Sequence, residues 1–323
     1  MHSIYRPFLV LVLACLVAPV IAAAAETAPA GEKQKWRAAA VIERGVRSHT
    51  SYEFGIPFEP YRTPLSRLEF PVNTWWGGVA LRRDFSRVSL GLRLLTNVTQ
   101  NTDGFMQDWD WEDDDAPGRV TTYSASRCRV EPSYQARFDL DLKVSDWLGL
   151  PVGIDIRPVV GFQWQRFNFM AHDGKQWSYF PPEPPVDLVG NSLHFRQDYQ
   201  LYFLGVKASY AWGNVVDALP ATIFLFCYWA YAKADNEDHH MMRPGFRLTL
   251  EESTGNAWFF SGGTRTCLSR NISAVLEVSY LTIRTTGTHR LYNEPFEVDF
   301  SFDHGVKVWS EQATLAARLE YAF

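Results

Sequence analysis

The chain has 323 residues, of which 46% are hydrophobic and 15% aromatic, and its formal net charge is -5. Beyond the N-terminal segment there is no apolar run long enough for a transmembrane helix, and the composition excludes a coiled coil, a collagen and a disordered chain. The mildly acidic balance without a basic cluster gives no electrostatic footprint for nucleic acid, so we predict no such partner.

Residues 1–25 have the features of a secretory signal peptide. Arg6 is their only charge, an apolar run follows it, and Ala23, Ala24 and Ala25 stand directly before Glu26. We predict that residues 26–323 form one mature domain. Cys15 offers a lipoprotein box as an alternative, but the apolar run continues beyond it, which fits that motif poorly.

Removal of the signal peptide leaves three of the four cysteines, Cys128, Cys227 and Cys267. An odd number of scattered cysteines is not a disulfide framework. We therefore assign no chemistry to them.

The dominant periodicity of the mature chain is two. Residues 136–144 and 313–323 alternate apolar with mostly polar side chains, which predicts strands with one face in an apolar environment. Less regular runs of the same kind complete a set of ten predicted strands, at about 36–47, 65–83, 87–98, 136–144, 151–171, 194–212, 219–234, 246–266, 272–286 and 313–323.

The predicted connections alternate in length. Short ones lie near 84–86, 146–150, 213–219 and 269–271, and long polar ones at about 48–64, 99–131, 172–193, 235–245 and 287–304. Together with the signal peptide and the terminal Phe323, this is typical of an outer-membrane β-barrel, because only a closed sheet satisfies its backbone in lipid. We predict an all-β transmembrane antiparallel barrel of about ten strands with long extracellular loops and short periplasmic turns. A periplasmic or secreted β-sandwich is the alternative.

Three segments resemble a known family. Residues 161–171 read GFQWQRFNFMA, residues 106–111 read MQDWDW, and residues 235–243 read DNEDHHMMR. They are similar to motifs of the omptin family of outer-membrane proteases, and residues 66–70 and 202–206 add weaker matches. The resemblance implies a ten-stranded barrel in the bacterial outer membrane and an endopeptidase that cleaves next to basic residues. A barrel of this fold that has lost catalysis and acts as an adhesin or structural protein is the alternative function.

The resemblance assigns catalytic roles to Asp108 and Asp110. Being two apart on a strand, they project from one face and can hold one water between them. Without the resemblance, both belong to an acidic segment of the ordinary solvated kind.

The family's Asp-x-His pair fits this sequence in two registers, Glu237 with His239 or Asp238 with His240. We choose Asp238 and His240, because this register keeps aspartate as the acid that orients the imidazole. A carboxylate beside a histidine fixes its tautomer and stabilises the imidazolium, so the histidine acts as general base.

Strict alternation puts Asp238 on the face of Phe226 and Tyr228, which we predict to face lipid. A β-bulge, or extension of the strand above the bilayer, is then required. No serine nucleophile is needed, since neither Ser124 nor Ser126 lies in a Gly-x-Ser-x-Gly motif.

A zinc site built from Asp108, Asp110 and His239 or His240 is the competing chemistry. Adjacent histidines on a strand point to opposite faces, so only one can join the carboxylates. We predict no metal and no cofactor.

Members of the family select basic side chains with acidic residues. Glu53 and Asp235 are the candidates here, and the acid-rich segment 103–115 independently favours a cationic substrate.

Members of the family also bind lipopolysaccharide on the barrel exterior and require it for activity. Phe162, Trp164 and Arg166 match or neighbour one exterior position, whereas Asp198 and Ser253 stand at two others that are basic in the family. Lipopolysaccharide is accordingly a possible activator.

Overall fold

The computed structural model describes residues 36–56, 62–85, 87–216, 219–245 and 247–323. The predicted signal peptide lies outside the described residues. Within them, the chain forms strands joined by antiparallel pairing, and no helix is long and apolar enough to cross a membrane.

Thirteen strands and one turn of 3₁₀ helix make up the described part of the chain. They are β1 (Trp36–Ile56), β2 (Arg62–Pro71), β3 (Trp75–Phe85), β4 (Val88–Asn97), β5 (Asn101–Asp110), β6 (Thr122–Val130), β7 (Tyr134–Leu142), β8 (Ile154–Tyr179), β9 (Pro182–Val216), β10 (Leu219–His240), β11 (Leu248–Cys267), β12 (Ile272–Asn293), the 3₁₀ turn Glu294–Phe296 and β13 (Val298–Ala322).

The sheet closes on itself, because β1 pairs with β13 along most of its length. Near the chain termini the ring runs through β3, β4 and β7, and at the opposite end it runs through β2, β5 and β6 instead. Each of these pairs of half-strands (β2 and β3, β4 and β5, β6 and β7) is one strand with a short break. The ring therefore has ten strands at either level, and the predicted ten-stranded barrel is confirmed.

The predicted long loops are largely strand. Segment 99–131 contains β5 and β6, and segment 172–193 is almost entirely the β8–β9 hairpin. The prediction was wrong there because both faces of these hairpins are polar or part-exposed, so the apolar alternation that reveals a strand is absent. Backbone pairing continues the sheet upward, with ring contacts of Tyr123 to Trp109 and Trp177 across the strands.

The three breaks lie at one level and are joined by the buried side chains of Asn97 and Thr74. Asn97 Nδ2 donates to the carbonyls of Thr99 and Val130, at 2.9 and 3.0 Å, and Asn97 Oδ1 accepts from the backbone N–H of Ser133 at 3.0 Å. The Thr74 hydroxyl donates to the same Thr99 carbonyl at 2.9 Å. These side-chain bonds replace the ladder bonds that the breaks remove.

Asn97→Ala is expected to destabilise the barrel, because it leaves buried backbone groups of two breaks without partners. The loss should be about 1–3 kcal/mol in the free energy of unfolding, measured by urea titration in micelles. Asn101→Ala, at the exposed start of β5, is the matched control and should change stability far less. Equal effects of the two variants would contradict the role given to Asn97.

The outer wall carries a band of exposed apolar side chains. On β10 it is formed by Leu225, Trp229 and Tyr231, which are 62%, 41% and 41% exposed. Phe226 and Tyr228, with 6% and 2% exposure, point into the lumen, so the prediction that they face lipid was wrong. Asp238 shares the lumen face with them, and neither a bulge nor a change of face is needed to bring it inside.

Side chains fill the lumen beneath the upper hairpins. Arg82, Arg157 and Lys207 converge on the buried Asp141 at 2.7, 3.0 and 2.9 Å, beside a cavity of about 250 Å³ near the termini. A barrel of this size has no wide channel. The acids of β5 and the histidines of β10 lie at the other end, which we call the mouth and which is formed by the connections 111–121, 241–245 and 294–297.

Candidate active site

One wall of the mouth carries the acid pair. Asp108 and Asp110 alternate on β5 with outward-facing residues, so both side chains point into the lumen. β5 pairs with β2, which sets Leu68 opposite Asp108 and Ser66 opposite Asp110. The Ser66 hydroxyl donates to Asp108 Oδ1 at 3.4 Å. On the other side of β5, Ser124 of β6 faces Asp108.

The facing wall carries an acid–histidine pair. Asp238 and His240 lie at the end of β10, beyond the apolar band, and both point inward. His240 Nε2 lies 3.2 Å from Asp238 Oδ2; the Asp238 side chain is fully buried, and that of His240 is 16% exposed. The imidazole is thus the accessible member of the pair.

β5 and β10 stand on opposite sides of the lumen, with β6, β8 and β9 between them on one side. Their charges nevertheless interact. Burial raises the pKa of Asp108 well above its usual value, and the negative charges of Asp110 and Asp238 raise it further. Burial also raises the pKa of Asp110, while the Ser66 hydrogen bond and the charge of His240 oppose that shift. The two pairs are therefore close enough for their charges to affect one another across the lumen.

A layer of buried residues closes the lumen below the four side chains. Tyr52 of β1 donates its hydroxyl to Asp238 Oδ2, and its ring stacks on Phe195 at a centroid distance of 5.3 Å. Beside them, His289 Nδ1 lies 3.0 Å from Glu251 Oε1, both side chains being almost fully buried. Burial raises the pKa of Glu251, against the opposing effect of His289.

Sequence reasoning missed Tyr52, Glu251 and His289. The signal available for Glu251 was parity, because Thr249, Glu251 and Ser253 are alternate polar residues on one face of β11. Such a row of polar side chains on the inward face needs polar partners, and Glu251 and Ser253 find theirs in His289 and Thr285 of the neighbouring β12.

Comparison with known proteins decides the family. A model of the omptin family matches residues 74–323. The chain belongs to the omptin family. Its fold is similar to that of the outer membrane protease OmpT from Escherichia coli, with a TM-score of 0.78 and 16% identity over 90% of this chain and 97% of that one.

Two other barrels match with lower similarity. The translocator domain of the autotransporter NalP from Neisseria meningitidis has a TM-score of 0.37 and 6% identity, covering 96% of both chains. The outer membrane protein AlkL has a TM-score of 0.30 and 11% identity, over 92% of this chain and 95% of that one. No curated protein sequence matches. Family and fold together identify an outer-membrane β-barrel with the fold of an omptin protease.

In this omptin, Asp235 and the alternative pair Glu237 and His239 lie on the outer face of β10. Glu237 forms an ion pair with Arg196 of β9 at 2.5 Å. Residues an odd number of positions apart on a strand point to opposite faces. The structure therefore does not bring Asp235 together with Asp238, although the two are close in sequence.

Glu53 lies on β1 rather than in a loop, and on the outer face. It pairs with Arg67, which stacks over Trp309, and it lies 3.5 Å from Lys307. A bulge between Val46 and His49 shifts the register of β1 and sets this face. The structure does not bring Glu53 into the mouth.

Phe162, Trp164 and Arg166 share the outer face of β8, as the sequence predicted for a lipid-facing row. Arg166 Nε and Trp164 Nε1 both donate to Asp198 Oδ1, at 2.8 and 3.1 Å. Phe162 packs on Tyr202 of β9 at 5.1 Å. The Arg166 charge is thus neutralised by a neighbour within the protein.

Two alternative mechanisms, a serine nucleophile and a bound metal ion, each require a particular arrangement of side chains. Ser124 and Ser126 are buried on β6, and Ser124 neighbours Asp108 rather than a histidine. Among the described residues, no group of three or more histidine, cysteine, aspartate or glutamate side chains is arranged to hold a metal ion.

Proposed function

We propose that this omptin is an outer-membrane endopeptidase in which His240 activates a water held against Asp108 and Asp110. The observation that supports this best is the 3.2 Å contact between His240 Nε2 and Asp238 Oδ2, on the wall that faces the acid pair. An accessible imidazole backed by a buried carboxylate is the arrangement that a general base requires.

The contact also suggests which ring nitrogen acts. Because Nε2 faces the Asp238 carboxylate, it carries the proton, and Nδ1 is left to accept one. As His240 takes a proton from the water, the hydroxide oxygen attacks the peptide carbonyl carbon. The C–N bond then breaks, and the imidazolium returns the proton to the leaving amine. Asp238 stabilises the imidazolium between these two steps.

We further propose that cleavage occurs next to basic residues. The support comes from the charge of the mouth, where Asp108 and Asp110 are followed by the exposed acids Glu112, Asp114 and Asp115. Clustered negative charge in a concave site concentrates cationic peptides near it. We assign this attraction to the mouth acids rather than to Glu53 and Asp235, which lie on the outer wall.

A salt titration with two peptides tests this assignment. Fluorogenic peptides with a paired basic site should be cleaved, and their KM should rise about 10-fold toward roughly 1 M salt, where the Debye length is about 3 Å. A neutral peptide of equal length is the control and should be cleaved poorly at every salt concentration. Glu112→Gln should raise the KM for the basic peptide more than Glu53→Gln. Equal cleavage of basic and neutral peptides would remove the acids from any role in specificity.

One negative outcome would separate the fold from the activity. If the refolded barrel cleaves no peptide under any lipid condition, a barrel without catalytic activity that serves as an adhesin or structural protein becomes the better interpretation.

Lipopolysaccharide is proposed as an activator that contacts the outer face of β8 through Phe162, Trp164 and Arg166. Its effect is measured by adding it to lipid-free micelles of the same protein.

A further inference from the structure

Tyr52 crosses the lumen. It lies on β1, where Leu68 and Val308 are its paired neighbours, yet its hydroxyl reaches Asp238 on β10. Along the wall β1 and β10 are separated by β13, β12 and β11. The Tyr52 ring is fully buried and stacks on Phe195 and Phe54, at centroid distances of 5.3 and 6.2 Å. Packing on both rings fixes the direction in which its hydroxyl points.

The hydroxyl meets the same oxygen that binds the histidine. Asp238 Oδ2 accepts from Tyr52 and lies 3.2 Å from His240 Nε2, whereas Asp238 Oδ1 has no hydrogen-bond partner among the described residues. The Tyr52 hydroxyl and the His240 ring, which come from different strands, therefore both contact one oxygen. Without Tyr52, His240 would be the one remaining described partner of this carboxylate, and it sits on the same strand.

Two further carboxylates lie near Asp238. Asp108 faces Asp238 from β5 and Glu251 faces it from β11, and both carboxylates repel its negative charge. His289 is bound to Glu251. The pKa of Tyr52 is raised well above its usual value, first by burial and then by Asp238 and Glu251. Tyr52 therefore stays protonated at physiological pH and donates a hydrogen bond to the carboxylate.

We propose that Tyr52 is a positioning residue, which holds the Asp238 carboxylate in the orientation that binds and orients His240. This inference rests on the proposed function of the pair. Tyr52 lies on β1, which carries neither the acid pair nor the acid–histidine pair, and in this role it aligns the general base His240 on β10. Tyr52 touches neither the water nor the peptide in this role.

Tyr52→Phe tests the proposal, because it removes the hydroxyl and keeps the stacked ring. We expect kcat for a basic peptide to fall about 10- to 100-fold, the cost typical of a misplaced catalytic group. KM should stay within about two-fold, since substrate contacts are unchanged. The ¹⁵N chemical shifts of the His240 ring should move toward a weaker Nε2–H hydrogen bond, because the carboxylate is no longer held toward the ring.

Tyr228→Phe is the matched control. Tyr228 is equally buried in the lumen and donates to Gln163 Oε1 at 3.0 Å, away from the mouth. Its variant should keep wild-type kcat and His240 shifts. If Tyr52→Phe keeps both as well, or if the two variants lose activity and thermal stability equally without a shift change, the proposal is overturned.

A double variant protects the test against misfolding and against failure of the proposed function. In an Asp238→Asn background, Tyr52→Phe should cause much smaller changes in the His240 shifts, because the carboxylate that links the two is gone. Equal changes in both backgrounds would contradict the link through Asp238. These shifts need no turnover, so a wild-type protein that cleaves nothing would refute the endopeptidase while the Tyr52 contact is still decided by the spectra.

Discussion

His240→Ala and Asp238→Asn are each expected to lower kcat/KM for peptide cleavage by about 10²- to 10⁴-fold. The first removes the group that takes the proton from water. The second removes the charge that stabilises the imidazolium, and it leaves the ring free to adopt the wrong tautomer. Initial rates with a fluorogenic basic peptide measure the loss, and heat-modifiable gel mobility reports whether the barrel has folded.

His239 and Glu237 provide matched controls, because they lie beside Asp238 and His240 on β10 but on its outer face. His239→Ala and Glu237→Gln change the same residue types on the outer wall and should affect kcat/KM by less than about three-fold, as for typical surface substitutions. Large losses from these two and small losses from His240 and Asp238 would establish the other register. Full activity of all four variants would refute the catalytic role of the acid–histidine pair. If a chelator inhibited cleavage and added zinc restored it, a metal site would be favoured.

Asp108→Asn is expected to abolish most cleavage and at the same time to stabilise the barrel at neutral pH. The carboxylate is required to hold the water, so the rate should fall about 10²-fold or more. Its raised pKa means that the folded state binds the proton more tightly than the unfolded state. The stability contributed by this group is therefore fully present below the unfolded-state pKa and is lost as pH rises through the folded-state pKa. At neutral pH the unfolded state has released this proton, so burial of the carboxyl group costs stability in the folded state, and the neutral amide avoids that cost.

Thermal unfolding of both proteins at acidic and neutral pH measures the second part. The difference in Tm between Asp108→Asn and wild type should be small in acid and should grow in favour of the variant toward neutral pH. Asp303→Asn, on an exposed segment of β13, is the control and should show no such growth. Asp110→Asn should show the same trend, since burial raises the pKa of Asp110 as well. A destabilised Asp108→Asn variant at neutral pH would contradict the burial argument.

The sequence itself determined the strands that cross the membrane. Lipid outside and a packed lumen inside demand opposite side chains, so β10 through β13 carry a period of two that can be counted. It did not determine β5 and β6, because above the bilayer both faces of a hairpin tolerate polar residues. The acid pair was still found, since Asp108 and Asp110 belong to a short motif that does not depend on periodicity.

The face of a residue was predictable only where the register was unbroken. Asp235 could have been placed outside from its odd separation from Asp238. Glu53 could not, because the bulge between Val46 and His49 changes the parity of β1 without a clear sequence signal.

Only the tertiary structure reveals the contact across the lumen between Tyr52 and Asp238. Tyr52 and Asp238 are far apart in sequence, and their strands are not neighbours in the sheet. No local pattern marks this pair, because each partner is an ordinary inward-facing residue of its own strand. They meet because the sheet closes into a ring whose diameter two side chains can span, and ring closure is a property of all ten strands together.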